Sequence, residues 1–158
     1  MIIKIKPYII SVLIALGIGG LSAFFTRNSM DLYSSINTPP LSPPSILFPI
    51  VWTILFVLMG ISAAMIYTDT NASVLSKKSA LFTYTLSLIV NFFWSIIFFN
   101  FRAFLFAFLW LLLLLFLIVR TIMKYYKINP TAAYLQIPYL LWVTFAGYLT
   151  FAIWLLNK

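Results

Sequence analysis

The sequence predicts an all-α integral membrane protein, a single domain built as a bundle of five transmembrane helices, and three observations carry that reading. Of its 158 residues 64% are hydrophobic and 8% charged, with a mean hydropathy of +1.10, whereas a soluble domain needs about 25% charged residues to cover its surface. The apolar residues fall into five runs, each long enough to cross hydrocarbon as a helix at about 20 residues per span. The ten Lys and Arg residues gather in the intervals between those runs or at their ends. With no Cys and no His in the chain, disulfides, thiolate chemistry, histidine-ligated metals and c-type haem attachment are excluded. The net charge of +8 is explained by contact with anionic headgroups and by membrane orientation, not by nucleic acid.

Span one covers about residues 7–26. Its two leading lysines and apolar run have the look of a signal peptide, but no convincing small-residue cleavage site follows, so it is kept as a helix. Ala15, Gly19 and Ala23 recur every four residues, a stripe that lets another backbone approach closely or leaves room beside a flat ligand. Residues 27–45 hold Asp31 and two proline pairs, Pro39–Pro40 and Pro43–Pro44. They read as an extended, polyproline-like cap over one end of the bundle.

Span two, about residues 46–67, enters through Pro43 and Pro44 and carries Pro49 in its first turn, where a missing N–H costs little. Trp52, Phe56 and Gly60 then share one helical face. That face is either the wall of a pocket or a helix contact. Asp69 ends the span, and Thr68, Thr70 or Asn71 can cap a short turn after it.

Span three, about residues 80–99, holds Asn91 near mid-helix, with Trp94 and Ser95 on the same side. An amide in hydrocarbon must find a partner. The partner is another helix or, together with the Trp94 indole N–H, a polar ligand atom. The turn at residues 100–102 forces an antiparallel hairpin. Span four, about residues 103–122, is Leu and Phe on every face and is expected to be the helix most exposed to lipid. Span five, about residues 133–156, is the richest in polar and aromatic residues, and Pro138 frees the carbonyl of Tyr134 to give a kink or an open acceptor. Pro138, Trp142 and Ala146 share one face of it. Convergent aromatic and small faces on different helices are what a cavity for a flat, mostly apolar molecule requires.

At this point the chain resembles the TspO/MBR family, the tryptophan-rich sensory proteins related to the mitochondrial translocator protein. The resemblance rests on Pro43–Pro44, Val51–Trp52–Thr53 and Met59–Gly60, on Asn91, Trp94 and Ser95 followed by Phe98 and Phe99, and on Pro138, Tyr139, Trp142, Phe145, Ala146 and the closing Asn157. Several positions depart from the family pattern. Leu41 stands where a tryptophan is usual before the proline pair, Ile50 where a proline precedes Val-Trp, Phe56 for a tyrosine, Ser87 for a glutamine and Thr150 for an asparagine. These changes remove an aromatic lid and several hydrogen-bond donors.

The resemblance implies a five-helix bundle, usually a homodimer, that needs no cofactor and binds porphyrins, with protoporphyrin IX as the expected ligand, in a pocket under the first loop. Trp52, Phe56, Asn91, Trp94, Pro138, Trp142 and Ala146 are the implied ligand-binding residues, with Pro43 and Pro44 in the cap. Some bacterial relatives degrade protoporphyrin in light and oxygen, and Trp52 and Trp142 are the positions such chemistry would use. Without His or Cys the usual strong axial ligands are missing, so a metal-free porphyrin fits better than a haem. The competing reading is a small membrane scaffold or transporter subunit in which the same Trp and Asn residues only pack helices. Loose sterol-motif matches at residues 119–127 and at Lys6, Tyr8 and Val12 read as interfacial anchors.

Orientation follows from charge. With five spans, Lys4, Lys6, Lys77, Lys78, Arg120, Lys124 and Lys127 share one side, and only Arg27, Arg102 and Lys158 the other. The positive-inside bias puts the N-terminus in the cytoplasm, with the first loop and the C-terminus outside a cell membrane crossed several times. Single cysteines placed at Ser35 and Ser76 test this in a chain that has none of its own. An impermeant maleimide on intact cells should label position 35 and spare position 76, and the reverse pattern would invert the topology.

Overall fold

In hydrocarbon a spanning segment must satisfy its own backbone hydrogen bonds, so each apolar run closes into helix. The computed structural model describes residues 5–29 and 31–158; Lys4, counted above among the cations, lies outside them. The described chain holds α1 (Ile5–Thr26), α2 (Leu32–Ser35), α3 (Leu47–Tyr67), α4 (Val74–Ser95), α5 (Phe104–Ile128), α6 (Pro130–Leu135) and α7 (Ile137–Asn157), and no strand. Five helical stretches, Ile5–Ser29, Leu47–Tyr67, Val74–Asn100, Phe104–Ile128 and Pro130–Asn157, are long and apolar enough to cross a membrane.

The cap is more helical than its prolines suggest. A 3-10 turn (Arg27–Ser29) and α2 occupy its first half, because the prolines that forbid helix start only at Pro39. Leu32 of α2 is completely buried and pins this half to the bundle. The second half runs extended past Pro39 and turns at Leu41, whose φ of 70° lies in the left-handed region.

Helix ends differ from the expected spans where side chains cap or reach. α4 starts at Val74, ahead of Ala80, because the Ser73 hydroxyl accepts the Ser76 N–H at 3.1 Å. In the turn before it, the Asp69 carboxylate accepts the N–H groups of Asn71 and Ala72. α5 runs beyond Ile122 to Ile128. Its Lys124 Nζ donates back to Ser79 Oγ and Thr83 Oγ1 of α4, at 2.9 and 2.8 Å, so the cation stays on the hairpin while its stem lies along apolar surface. At the other end of that hairpin α4 widens into a π turn (Ile96–Asn100). Span five is broken at Gln136 into α6 and α7, because Pro138 has no N–H to return to Tyr134 and the Gln136 N–H turns to the Ala133 carbonyl. The Gln136 side chain, fully buried, donates from Nε2 to Ser62 Oγ of α3 at 2.7 Å.

Span four is not the most lipid-exposed helix. α5 buries Ala107, Leu111, Leu114, Leu117, Ile118, Thr121 and Tyr125 against α4, α6 and α7, whereas α1 buries only Ala15 and Thr26. A helix that is leucine-rich all round can turn any face inward, and neighbours rather than composition choose it. Trp110 Nε1 donating to the Val90 carbonyl at 2.8 Å fastens α5 to α4. α1 sits at the edge of the bundle, on α3 and α4.

α1 and α3 approach each other closely at Gly60. A Cβ added at Gly60 would lie 2.5 Å from the Val12 Cα, while Gly17 and Gly20 face open space. Because the obstacle is backbone, Gly60→Ala must push α1 away. It is expected to cost about 1–3 kcal/mol, the usual range for overpacking, and to lower the thermal transition in detergent, with Gly17→Ala unchanged. Equal transitions for both variants would show that α1 is not held by this contact.

Candidate functional site

A cavity of about 420 Å³ lies between α1, α3, α4 and α7 under the cap, within the range usual for ligand sites. α3 supplies Trp52 and Phe56, α4 Asn91 and Trp94, and α7 Trp142 and Ala146, so six of the seven residues expected from sequence line one space. Pro138 does not join them. It is exposed, in the first turn of α7 and one turn farther from the cap than Trp142, while its neighbour Tyr139, buried to 1%, faces the bundle. Gly60, on the same face as Trp52 and Phe56, is taken up by the contact with Val12 instead.

The aromatic rings hold one another in place. Trp52 stacks on Phe56 at 5.6 Å between centroids and meets Tyr139 edge-on at 6.3 Å. Trp94 stacks on Phe98 at 5.2 Å, and Trp142 meets Phe48 at 5.9 Å. Such offset and edge contacts are the favoured ring geometries, so the indoles are positioned before any ligand arrives. On the α1 side the lining is small, with Gly19, Gly20 and Ala23. A Cβ at Gly19 would meet the Phe56 ring at 2.6 Å, so this glycine lets the phenyl lie flat against α1.

The cap closes the site from above. Tyr33, in the turn of helix after Leu32, lines the cavity together with Ser45. Its ring packs edge-on against Phe48 at 5.1 Å and its hydroxyl donates to the Pro43 carbonyl at 2.8 Å. Pro43 therefore acts by fixing Tyr33, and Pro44 by accepting the Leu47 N–H at the start of α3; neither lines the cavity. Leu41, 82% exposed, points away, yet the lid keeps an aromatic, since Tyr33 stands in the roof. The cap is tied to α7 by Asn37 and Asn157, which exchange backbone and amide bonds at 3.0 and 2.8 Å, and by the Tyr148 hydroxyl on the Pro40 carbonyl.

Of the two polar groups that pointed to a ligand, one is engaged by the protein and the other is not. Asn91 Nδ2 donates to the Tyr139 hydroxyl at 3.1 Å, both residues buried. The Trp94 Nε1 is enclosed and has no acceptor among the described residues. The hydroxyls of Thr26, Thr53 and Thr150 bond carbonyls of their own helices. Neither Asp31 nor Asp69 lines the space, so it offers no carboxylate for acid–base work. What it presents is indole and phenyl faces, suited to stacking on a flat molecule. Sequence reasoning missed Tyr33 and Phe48 as lining residues and Tyr139 as the Asn91 partner. Phe48 was findable, four residues before Trp52 on the same face; Tyr33 had no periodicity to mark it.

The sequence model of the TspO/MBR family matches residues 10–155. A tryptophan-rich protein TspO of Chlorobaculum tepidum is 35% identical over 149 residues, covering 94% of this chain and 92% of the relative. Protein CrtK of Rhodobacter capsulatus is 32% identical, covering 88% and 85%. The translocator protein of Bos taurus is also 32% identical, covering 89% and 83%.

The bond between Asn91 and Tyr139 joins α4 to α7 across the cavity wall. A double-mutant cycle of Asn91→Leu and Tyr139→Phe, read by unfolding in detergent, should give a coupling of about 0.6–1.7 kcal/mol, the range for interhelical bonds in lipid. Additive losses would mean that each residue acts alone.

Proposed function

The chain belongs to the TspO/MBR family, and from that footing we propose that it is a membrane-embedded binding protein for flat, mostly apolar ligands of the tetrapyrrole class. The observation that carries this reading is the convergence of Trp52, Trp94 and Trp142, from three helices, on one capped cavity with a small-residue wall. Indole faces stack on an extended π-system. Gly19, Gly20 and Ala23 leave room for its plane, and Tyr33 and Phe48 shelter the mouth. With no His or Cys in the chain, a metal-free porphyrin such as protoporphyrin IX suits the site better than a haem held by strong axial bonds. In the same reading the protein works as a homodimer in a cell membrane, with its capped end outside.

Helix packing alone is a second reading, and the engaged amide of Asn91 favours it for that residue. The two readings separate in one experiment. Titrating the purified protein with protoporphyrin IX should quench tryptophan fluorescence saturably. Replacing Trp52 and Trp142 together by Leu should weaken binding about fivefold or more, for losses of ~0.5–1.5 kcal/mol at each ring, with Trp94, Trp110 and Trp154 left as reporters. An unchanged affinity would leave these residues as packing. Illuminated in air, the complex should bleach at the rate of free porphyrin in the same detergent; faster bleaching to a distinct product would make the protein an enzyme acting through its indoles.

A further inference from the structure

A second concavity, about 580 Å³, opens at the end of the bundle opposite the cap, between α1 and α4 with α3 as its floor. It exists because α1 is fastened to α4 only near the cap, where Phe25 meets Phe92 at 5.9 Å between ring centroids and Asn100 Nδ2 donates to the Phe25 carbonyl. Farther down, α1 follows α3, and the gap toward α4 has only Ala63 and Ala64 beneath it. The walls are apolar, with Ile10 and Ile14 of α1 facing Leu81 and Ile89 of α4. The mouth is cationic. Lys6 lines it, and Lys77, which does not, approaches it through Tyr67, another lining residue, whose ring lies 6.0 Å from the Lys77 Nζ.

Nothing acidic balances these two lysines. Asp69 is the only acid at this end of the described chain, and its carboxylate is turned onto the N–H groups of Asn71 and Ala72, while Lys77 Nζ bonds its backbone carbonyl at 2.7 Å. An elongated hydrocarbon slot ending in unneutralised cations at headgroup level matches one chemistry, an acyl chain carrying an anionic head. A second copy of the chain fits less well. A two-fold contact places the same patch on both partners, and here it would set Lys6 and Lys77 against their own counterparts with no acid between them.

We propose that this groove is a site for an anionic phospholipid, with one acyl chain lying over Ala63 and Ala64 and the phosphate held between Lys6 and Lys77. The site is separate from the capped cavity and does not depend on what that cavity binds.

Native mass spectrometry of the full chain in detergent, with dioleoylphosphatidylglycerol and dioleoylphosphatidylcholine added in turn, tests it. The anionic phosphatidylglycerol should be retained more strongly than the zwitterionic phosphatidylcholine. Lys6→Gln and Lys77→Gln should each reduce that preference about fivefold, the size expected for one basic residue at an anionic surface. Thr85→Trp, at an exposed lining position, fills the slot and should abolish retention of both lipids while leaving the thermal transition by circular dichroism in place. Equal retention of the two lipids by the native chain, or full retention by Thr85→Trp, overturns the site. So does a change in the monomer-to-dimer ratio with lipid occupancy intact, which would make the groove an interface between copies.

Discussion

The approach of the α1 backbone to Gly60 is the contact on which the rest of the arrangement depends. Between helices in lipid the hydrophobic effect offers little, and association rests on close packing of small residues and on interhelical hydrogen bonds. Gly60 admits Val12 at a distance no side chain would tolerate, and this fixes α1 along α3. Toward the cap, the seating brings Gly19 and Ala23 opposite the rings of α3 and α4, and the space left over is the aromatic cavity. Toward the other end it draws α1 away from α4 and opens the lysine-edged groove over Ala63 and Ala64. One contact thus sets both concavities.

The polar groups that bridge helices divide their work from that of the rings. Asn91 with Tyr139, Gln136 with Ser62, Trp110 with the Val90 carbonyl and Lys124 with Ser79 and Thr83 each join two helices. In hydrocarbon an unpaired polar atom is costly, so these groups serve as register marks for α3, α4, α5 and the last span. In the proposed reading, recognition in the cavity falls to aromatic faces, which need no hydrogen bond.

The cap belongs to the site as much as the helices do. Its fastening points lie on α7, through Asn157 and Tyr148, and on the entry to α3, through Pro43 and Phe48. Those two helices carry Trp142 and Trp52. Any change in the cap is therefore transmitted to the two half-buried indoles, and the prolines of residues 39–44 contribute by stiffening the path between the fastenings.

The sequence by itself determined the class, the five spans, the hairpin at residues 100–102 and six of the seven lining residues expected for one cavity. Hydropathy is set by composition alone, and a spacing of four places Trp52 with Phe56, or Trp142 with Ala146, on one face whatever the neighbours are. Only the tertiary structure decided which faces meet. The leucine-rich α5 turned one face onto three neighbouring helices and α1 proved the most peripheral span, because lipid and protein interior are equally apolar and hydropathy cannot tell them apart. Pro138 shares a face with Trp142 and Ala146 on α7 yet lies a turn below the cavity, because spacing sets the face and not the depth at which neighbouring helices leave a space. Tyr33 entered the roof through a fold of the cap that depends on Leu32 finding a buried seat, and Asn91 spent its amide on Tyr139. Both outcomes rest on contacts between residues far apart in the chain, where spacing holds no information.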